Sequence, residues 1–138
     1  MTSAFANLRV IDFTTTIAGP HCTRLLADLG AEVIKVEAPE GDMMRARMPL
    51  RGGASTSFGQ LNTGKKSVVV DLKRPEGVAV ARRLVERCDV LVENFRPGVM
   101  QRFSITLPCG SSSPNSSTVP SPAMARPGRR PDCRLMRR

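Results

Sequence analysis

Several residue types that often mark a function are scarce in this chain of 138 residues. Trp and Tyr are absent, all aromatics together make up 4% of the residues, and His21 is the single histidine. The four cysteines lie far apart and form no CxxC pair, so the sequence argues against a zinc site, and we predict reduced thiols and no metal. Neither a long apolar run nor a leader-like N-terminus is present, which predicts a cytoplasmic protein without a membrane span.

The net charge of +9 is concentrated toward one end of the chain. Residues 1–103 carry 15 Lys/Arg and 11 Asp/Glu, whereas residues 104–138 carry six Arg and one carboxylate, Asp132. The second segment also holds six prolines and seven serines, with almost no periodic apolar pattern, a composition typical of disorder. We therefore predict an α/β segment over residues 1–103 and an irregular Ser/Pro/Arg-rich tail over residues 104–138.

Short runs of branched apolar residues alternate with amphipathic stretches in the first segment. The runs predict buried strands at residues 8–13, 31–37, 67–72 and 89–93. Two amphipathic stretches, residues 21–30 and 75–88, predict helices, and residues 38–60 are predicted as a long loop. The apolar positions expected to face the core are Cys22, Leu25, Leu26 and Leu29 in the first helix and Val78, Val80, Ala81, Leu84 and Val85 in the second. This alternation predicts an incomplete Rossmann-like α/β fold, a parallel sheet with flanking helices.

A turn rich in small residues, Gly or Pro follows each predicted strand. Because the carboxyl ends of parallel strands share one edge, the segments TTTIAGP, EAPEGD, KRPEG and NFRPG are expected to meet there. Backbone N–H groups, helix N-termini and the cations Lys73, Arg74, Arg96 and Arg102 at such an edge suit a phosphate-bearing ligand. Gly and Pro are also common in any turn, and neither GxGxxG nor GxxxxGK[ST] is present to decide the matter.

Three blocks of the sequence resemble a known family. They are DFTTTIAGPHCTRLLADLGAEVIKVEAPEGD, LNTGKKSVVVDLKRPEG and DVLVENFRPGVMQR, in this order within residues 7–103. Together they resemble the start of the class III CoA-transferases, the CaiB/BaiF-like family with formyl-CoA transferase and α-methylacyl-CoA racemase relatives. The resemblance implies an interlocked homodimer that moves CoA between carboxylic acids through an aspartyl-CoA thioester. Acyl-CoA and a carboxylic acid would be its substrates, with no prosthetic group. A racemase fragment and a non-catalytic CoA-binding module are the alternatives.

Residue matching to the family implies a CoA pocket. Its members are Ile17, Ala18, Val70, Asp71, Leu72, Lys73, Asn94, Phe95, Arg96 and Arg102. Lys73 and Arg102 can meet CoA phosphates, and Phe95 can offer a ring face to adenine. Some members of the family carry a cation where this chain has Ala38, which departs from the pattern.

No catalytic residue is assigned in this chain. The family's catalytic aspartate follows the NFRPG block after a glycine-rich stretch, and nothing in residues 104–138 resembles that region. Asp132 lies in an unlike setting, and His21 is more simply a surface residue at a helix N-terminus. We therefore expect an inactive N-terminal fragment of a transferase, which is poorly soluble or partly molten because parallel sheets need both faces covered.

The tail has two further interpretations. If the reading frame slipped near residues 105–106, the codons permitted for residues 114–136 and for the stretch before them could spell the helix, strand and glycine-rich loop that the family shows after NFRPG. The coding DNA tests this frameshift hypothesis, and a stop codon within the next few dozen codons of the neighbouring frame would contradict it. A basic arm for nucleic acid is the alternative, but it contains no aromatic residue for stacking, and we predict that no nucleic acid is bound.

Overall fold

The computed structural model of the chain describes residues 3–105 and 136–137, which form a parallel sheet with helices packed against it. The strands are β1 (Arg9–Asp12), β2 (Glu32–Glu37), β3 (Leu50–Arg51), β4 (Ala54–Ser55), β5 (Lys66–Val69), β6 (Val90–Glu93) and β7 (Met136–Arg137). The main sheet has the order β5–β2–β1–β6–β7, and every neighbouring pair in it is parallel. The predicted fold class, an α/β Rossmann-like parallel sheet, is confirmed.

In the part of the chain that the structure describes, four α-helices and one 3₁₀ helix connect these strands. They are α1 (Ala18–Asp28), the 3₁₀ helix (Met43–Ala46), α2 (Thr56–Asn62), α3 (Pro75–Val85) and α4 (Val99–Arg102). α1 is closed by Gly30, which has φ +96°; the N–H groups of Gly30 and Ala31 donate to the carbonyls of Ala27 and Leu26, respectively. Glycine adopts this left-handed conformation without the steric cost that other residues meet.

The segment predicted as a long loop, residues 38–60, is structured, so that prediction is wrong. It holds the 3₁₀ helix, the β3–β4 hairpin and the first turns of α2. The side chain of Ser55 accepts a hydrogen bond from the Phe58 N–H at 3.2 Å and thereby caps α2. A local cap by Ser55, and not a long stripe of apolar residues, therefore stabilises the helix in this segment.

The core consists of two apolar clusters, and successive residues of a strand belong to one and then to the other. Val10 belongs to a cluster that Leu26 and Ala27 of α1 cover, whereas Ile11 belongs to a cluster that contains Ala81 and other residues of α3. Because successive strand residues point to opposite faces, α1 and α3 cover opposite faces of the sheet. Because helices cover both faces, the central strands carry apolar residues on both faces and appear in the sequence as continuous apolar runs.

Two of the predicted helix faces need correction. Leu25 and Leu29 of the α1 region are 49% and 48% exposed, and Val80 of α3 is 45% exposed. The buried residues of α1 are Gly19, Pro20 and Thr23. The first turns of α1 therefore approach the sheet through small residues and a threonine, whereas Leu26, as predicted, packs against the core further along the helix.

The last residues connect to the sheet at one point. Met136–Arg137 pair in parallel with β6, in the register Val92 to Met136 and Glu93 to Arg137. Residues 106–135 and 138 lie outside the described part of the chain, so the predicted disorder and frameshift there stay predictions, as does the domain boundary at 103/104. Among the described helices, none is long and apolar enough to cross a membrane.

Candidate functional site

The carboxyl edge of the sheet brings the loops that follow β1, β2, β5 and β6 close together. Thr15, after β1, forms hydrogen bonds with Asn94, after β6. The Val70 N–H, after β5, donates to the Glu37 carbonyl at the end of β2, at 2.8 Å. The shared edge predicted from parallel strands is thus present as a contiguous surface.

The loop between β1 and α1, residues 14–17, is called the first loop here and has a constrained backbone. Thr16 has φ +74°, a left-handed conformation that costs a residue with a Cβ atom about 1–2 kcal/mol. A Cβ atom added to Gly19 would lie 2.4 Å from the Thr14 Cβ, so only glycine lets α1 start so close to the loop. The first loop is therefore a strained segment held tightly against the helix that follows it.

Asp12 and Lys65 form a buried ion pair beneath the first loop. The Lys65 Nζ lies 2.9 Å from the Asp12 Oδ2, and the two side chains are 1% and 0% exposed. The same ammonium donates to the Pro20 carbonyl at 2.8 Å and to the Asn62 Oδ1 at 2.9 Å. Burial lowers the pKa of Lys65, while the charge of Asp12 acts against that shift. All three ammonium hydrogens have acceptors, as a buried cation requires.

Asp12 also holds the first loop and α1 through its carboxylate. Its Oδ1 accepts hydrogen bonds from the Thr14 N–H at 2.8 Å and the Thr14 hydroxyl at 2.5 Å. Its Oδ2 accepts from the Thr23 hydroxyl of α1 at 2.6 Å. One carboxylate at the end of β1 therefore joins strand, loop and helix.

A second buried ion pair lies at the end of β2. The Lys35 Nζ lies 2.8 Å from the Asp42 Oδ2 and donates to the Thr14 carbonyl at 2.8 Å. The Asp42 Oδ1 accepts from the Met44 N–H at 2.9 Å and so starts the 3₁₀ helix. Lys35 thus ties the first loop to the segment that follows β2.

Glu37 is held as a carboxylate by its neighbours. The Arg45 guanidinium donates to both carboxylate oxygens at 2.7 and 2.8 Å, and the Ser67 hydroxyl donates at 2.6 Å. The hydrogen bonds from Arg45 are the largest cause that lowers the pKa of Glu37 to about 2, although burial acts in the opposite direction. The Arg45 Cζ also lies 4.0 Å from the centroid of the Phe58 ring, a cation–π geometry.

The ten residues predicted for CoA fall into three groups along this edge. Ile17 and Ala18 are exposed at the start of α1. The second group, Val70, Asp71, Leu72 and Lys73, follows β5. The third, Asn94, Phe95, Arg96 and Arg102, begins at the end of β6, and Arg102 ends α4.

Within the second group, only some side chains are available to a ligand. Val70 is buried in the core, so it can offer only backbone groups. The Asp71 carboxylate accepts from the Lys73 N–H at 2.9 Å and stabilises the turn before α3. The Lys73 side chain is 83% exposed and its ammonium lies 3.7 Å from the Glu40 carboxylate, a contact too weak to hold it. Lys73 is therefore free to turn toward an anion.

The third group combines packing with exposed charge. The Phe95 ring centroid lies 6.4 Å from that of Phe13, and Phe95 packs against the core. Arg96 and Arg102 are exposed. Both polar ends of the Asn94 amide bind Thr15, at 3.0 Å to its N–H and 2.9 Å to its carbonyl. Asn94 thus serves the first loop directly.

The described residues include two free thiols and no cluster of metal-binding side chains. Cys22 and Cys88 are free thiols, and burial raises the pKa of Cys88 to about 12, so this thiol is protonated at neutral pH. His21 is exposed on α1. No group of three or more His, Cys, Asp or Glu side chains within residues 3–105 is placed to hold a metal ion.

The sequence patterns missed the buried ionic residues at this edge. Asp12, Lys35 and Lys65 were not singled out, and their partners lie up to 53 residues away. A charged residue within an apolar strand run, such as the lysine of VIKVE, was the available signal, because a buried charge requires a partner.

The fold and this edge define a class of α/β proteins whose ligands lie at the carboxyl ends of parallel strands. Sequence comparison then identifies the family. The chain belongs to CoA-transferase family III, whose profile matches residues 5–108.

Named relatives agree with this assignment. The chain is 46% identical over 105 residues to succinyl-CoA:mesaconate CoA-transferase of Haloarcula hispanica, covering 72% of this chain and 26% of that protein. It is 47% identical over 105 residues to formyl-CoA:oxalate CoA-transferase of Bradyrhizobium diazoefficiens, covering 75% and 25%. The chain therefore spans about a quarter of the length of these curated relatives.

Solved structures agree with the fold. A CaiB/BaiF family protein from Brucella suis has a TM-score of 0.72 and 36% identity, covering 77% of this chain and 29% of that one. A hypothetical protein from Mycobacterium tuberculosis has a TM-score of 0.70 and 42% identity, covering 76% and 29%.

Proposed function

We propose that this chain is the N-terminal, CoA-binding part of an acyl-CoA transferase that moves CoA between carboxylic acids. The observation that carries the proposal is the meeting of the loops after β1, β5 and β6 at one edge, within the segment that matches the family. The relatives named above are CoA-transferases for succinyl-CoA with mesaconate and for formyl-CoA with oxalate. Their names favour a transferase over a racemase.

In this proposal, CoA lies along the carboxyl edge of the sheet. Ile17 and Ala18 offer a small, exposed surface and backbone groups at the start of α1. Lys73 and Arg96 are exposed cations that can reach phosphate oxygens, where charge-assisted hydrogen bonds are strongest. Val70, Asp71, Leu72, Asn94, Phe95 and Arg102 complete the proposed surface.

The transfer step needs groups that no residue of this chain is proposed to supply. A carboxylate nucleophile would attack the acyl thioester carbonyl and expel the CoA thiolate, giving a mixed anhydride. The thiolate would then attack the aspartyl carbonyl of that anhydride, giving an aspartyl-CoA thioester and releasing the first acid. We place that aspartate beyond the matched segment, so the chain binds CoA without transferring it. We also propose a cytoplasmic location and an interlocked homodimer for the complete enzyme, with no prosthetic group.

CoA binding is tested by titration calorimetry on the full chain, with Lys73→Ala as the probe. Removing an exposed phosphate contact of about 1 kcal/mol should weaken CoA binding about fivefold. Lys66→Ala is the matched control, because Lys66 is also exposed but starts β5 at the opposite edge and pairs with Glu32 at 2.6 Å. Absence of binding by the unsubstituted chain, or equal losses in both variants, would contradict the proposed site.

Catalysis is tested separately by incubating the chain with succinyl-CoA or formyl-CoA and a carboxylic acid. Chromatography of the acyl-CoA products should show no transfer above the rate without protein. A new acyl-CoA that forms in proportion to chain concentration would contradict the proposed lack of activity and would require a nucleophile within the 138 residues.

A further inference from the structure

Asn94 connects two loops that are far apart in the sequence. Its Oδ1 accepts from the Thr15 N–H at 3.0 Å and its Nδ2 donates to the Thr15 carbonyl at 2.9 Å, across 79 residues. Both polar ends of the amide are thereby engaged by one residue of the first loop. An amide engaged in this way can hold the first loop in place without contacting a ligand.

The residue that follows this contact is the strained one. Thr16 is a β-branched residue at φ +74°, and such conformations persist only where the surrounding structure determines them. Asn94 holds the peptide groups immediately before it. Without this contact, Thr16 would relax toward the ordinary negative-φ regions.

The rest of the first loop is held from other strands. The Thr14 N–H is bound by Asp12 of β1, and the Thr14 carbonyl is bound by Lys35 of β2. Asn94 supplies the matching contacts from the end of β6. Side chains from three neighbouring strands thus hold four consecutive backbone groups, immediately before Thr16 and the exposed Ile17.

We propose that Asn94 is a positioning residue for CoA binding, which keeps Thr16 in its left-handed conformation so that Ile17 and Ala18 face the ligand. The proposal rests on the function proposed above and changes the role of Asn94 in it. The amide acts through Thr15 and does not contact CoA.

The test is a double-substitution cycle measured by calorimetry with CoA on the full chain. Asn94→Ala should weaken CoA binding about tenfold, since the ligand must then restore the strained loop. Thr16→Gly allows the left-handed backbone at no steric cost. In the Thr16→Gly background, Asn94→Ala should therefore weaken binding no more than about threefold.

Two further variants separate positioning from general damage. Asn94→Asp keeps the size of the side chain but places a carboxylate oxygen against the Thr15 carbonyl, so it should weaken binding at least as much as Asn94→Ala. Gln101→Ala removes an exposed amide on α4 and should leave affinity unchanged. Thermal unfolding of each variant confirms that the chain folds.

The outcomes distinguish this role from the proposed function. If the unsubstituted chain binds CoA and Asn94→Ala binds it equally well, the positioning role is overturned and the proposed function stands. The positioning role is also overturned if Asn94→Ala weakens CoA binding equally in the unsubstituted chain and in the Thr16→Gly background. A direct contact between Asn94 and CoA predicts that the two substitutions act independently. If the unsubstituted chain binds no CoA, the proposed function fails and this role fails with it.

Discussion

At the scale of single residues, Glu37 shows how the carboxyl edge depends on pH. Its pKa is about 2 in the folded chain, compared with 4.5 as the ordinary value. A carboxyl group with a lowered pKa contributes stability that is fully present above pH 4.5 and is lost as the pH falls toward 2. The shift corresponds to at most about 3 kcal/mol. Because Arg45 is 48% exposed, we expect solvent screening to leave about 1–2 kcal/mol.

Glu37→Gln tests this contribution. Urea denaturation followed by far-UV dichroism should show that the variant loses about 1–2 kcal/mol at pH 7 and that the gap narrows by pH 3. Glu40→Gln is the control, because Glu40 is exposed and lies 3.7 Å from Lys73. If the difference in unfolding free energy between Glu37→Gln and the unsubstituted chain stays constant from pH 7 to pH 3, the lowered pKa of Glu37 is not its cause.

Single residues were the least predictable part of the site. The matched positions Ile17, Ala18, Asn94 and Arg96 do lie on the carboxyl edge, but the roles of their side chains depend on contacts from other strands. Lys65 illustrates the reason, since its partner Asp12 lies 53 residues away. The pattern of apolar residues along the sequence can indicate that a charged side chain is buried, but it cannot show which distant group pairs with that charge.

At the scale of elements, glycines decide how closely α3 and the β5 loop pack. A Cβ atom on Gly77 would lie 2.0 Å from the Asp71 carbonyl oxygen, which belongs to rigid backbone. Gly77→Ala should therefore destabilise the chain by about 1–3 kcal/mol, as overpacking does. The measurement is the urea midpoint followed by far-UV dichroism.

Gly59 of α2 is the matched control for that substitution. An added Cβ atom there meets nothing within 4 Å, and its φ is not positive. Gly59→Ala should stabilise the chain by about 0.5–1 kcal/mol, because alanine loses less conformational entropy within a helix. Equal effects of the two substitutions would contradict the packing described for α3.

The elements could be predicted where apolar runs are strong. β1, β2 and β6 lie within the predicted strands, because buried parallel strands read as continuous apolar segments. β5 overlaps the predicted strand 67–72 but begins at Lys66, and it is a largely exposed edge strand. α2 was missed because it is short and buries only Leu61. Ser55, its N-cap, was the one local signal. The buried face of α1 is predicted only in part, because Leu26 packs against the core whereas Leu25 and Leu29 are exposed and the fully buried residues include Gly19 and Thr23.

At the scale of the whole molecule, the described surface carries exposed apolar side chains. Leu25 and Leu29 are exposed near the end of α1, and Val69 of β5 is 63% exposed at the edge of the sheet. Such side chains on an edge strand and a helix face favour association. We therefore expect the chain to self-associate and to bind the dye ANS through these exposed side chains, although α1 and α3 cover the two faces of the sheet.

Leu25→Lys tests whether the α1 surface drives this association. Sedimentation velocity should show less self-association and ANS fluorescence should fall, because an apolar contact is replaced by a charge. His21→Lys is the control, since it adds a similar charge at an exposed position of the same helix. An unsubstituted chain that sediments as a monomer and binds no ANS would contradict the expectation.

The contact between Asn94 and Thr15 has a consequence for how the chain is made. The first loop is synthesised before the side chain that holds it, which follows 79 residues later. At about 5–20 residues per second, about 4–16 s of translation separate the two. Throughout that interval Thr15 lacks its hydrogen-bond partner, and a nascent chain halted before residue 94 cannot complete the loop. Ile17 and Ala18, which are proposed to receive CoA, thus reach their final geometry only after Asn94 has been made.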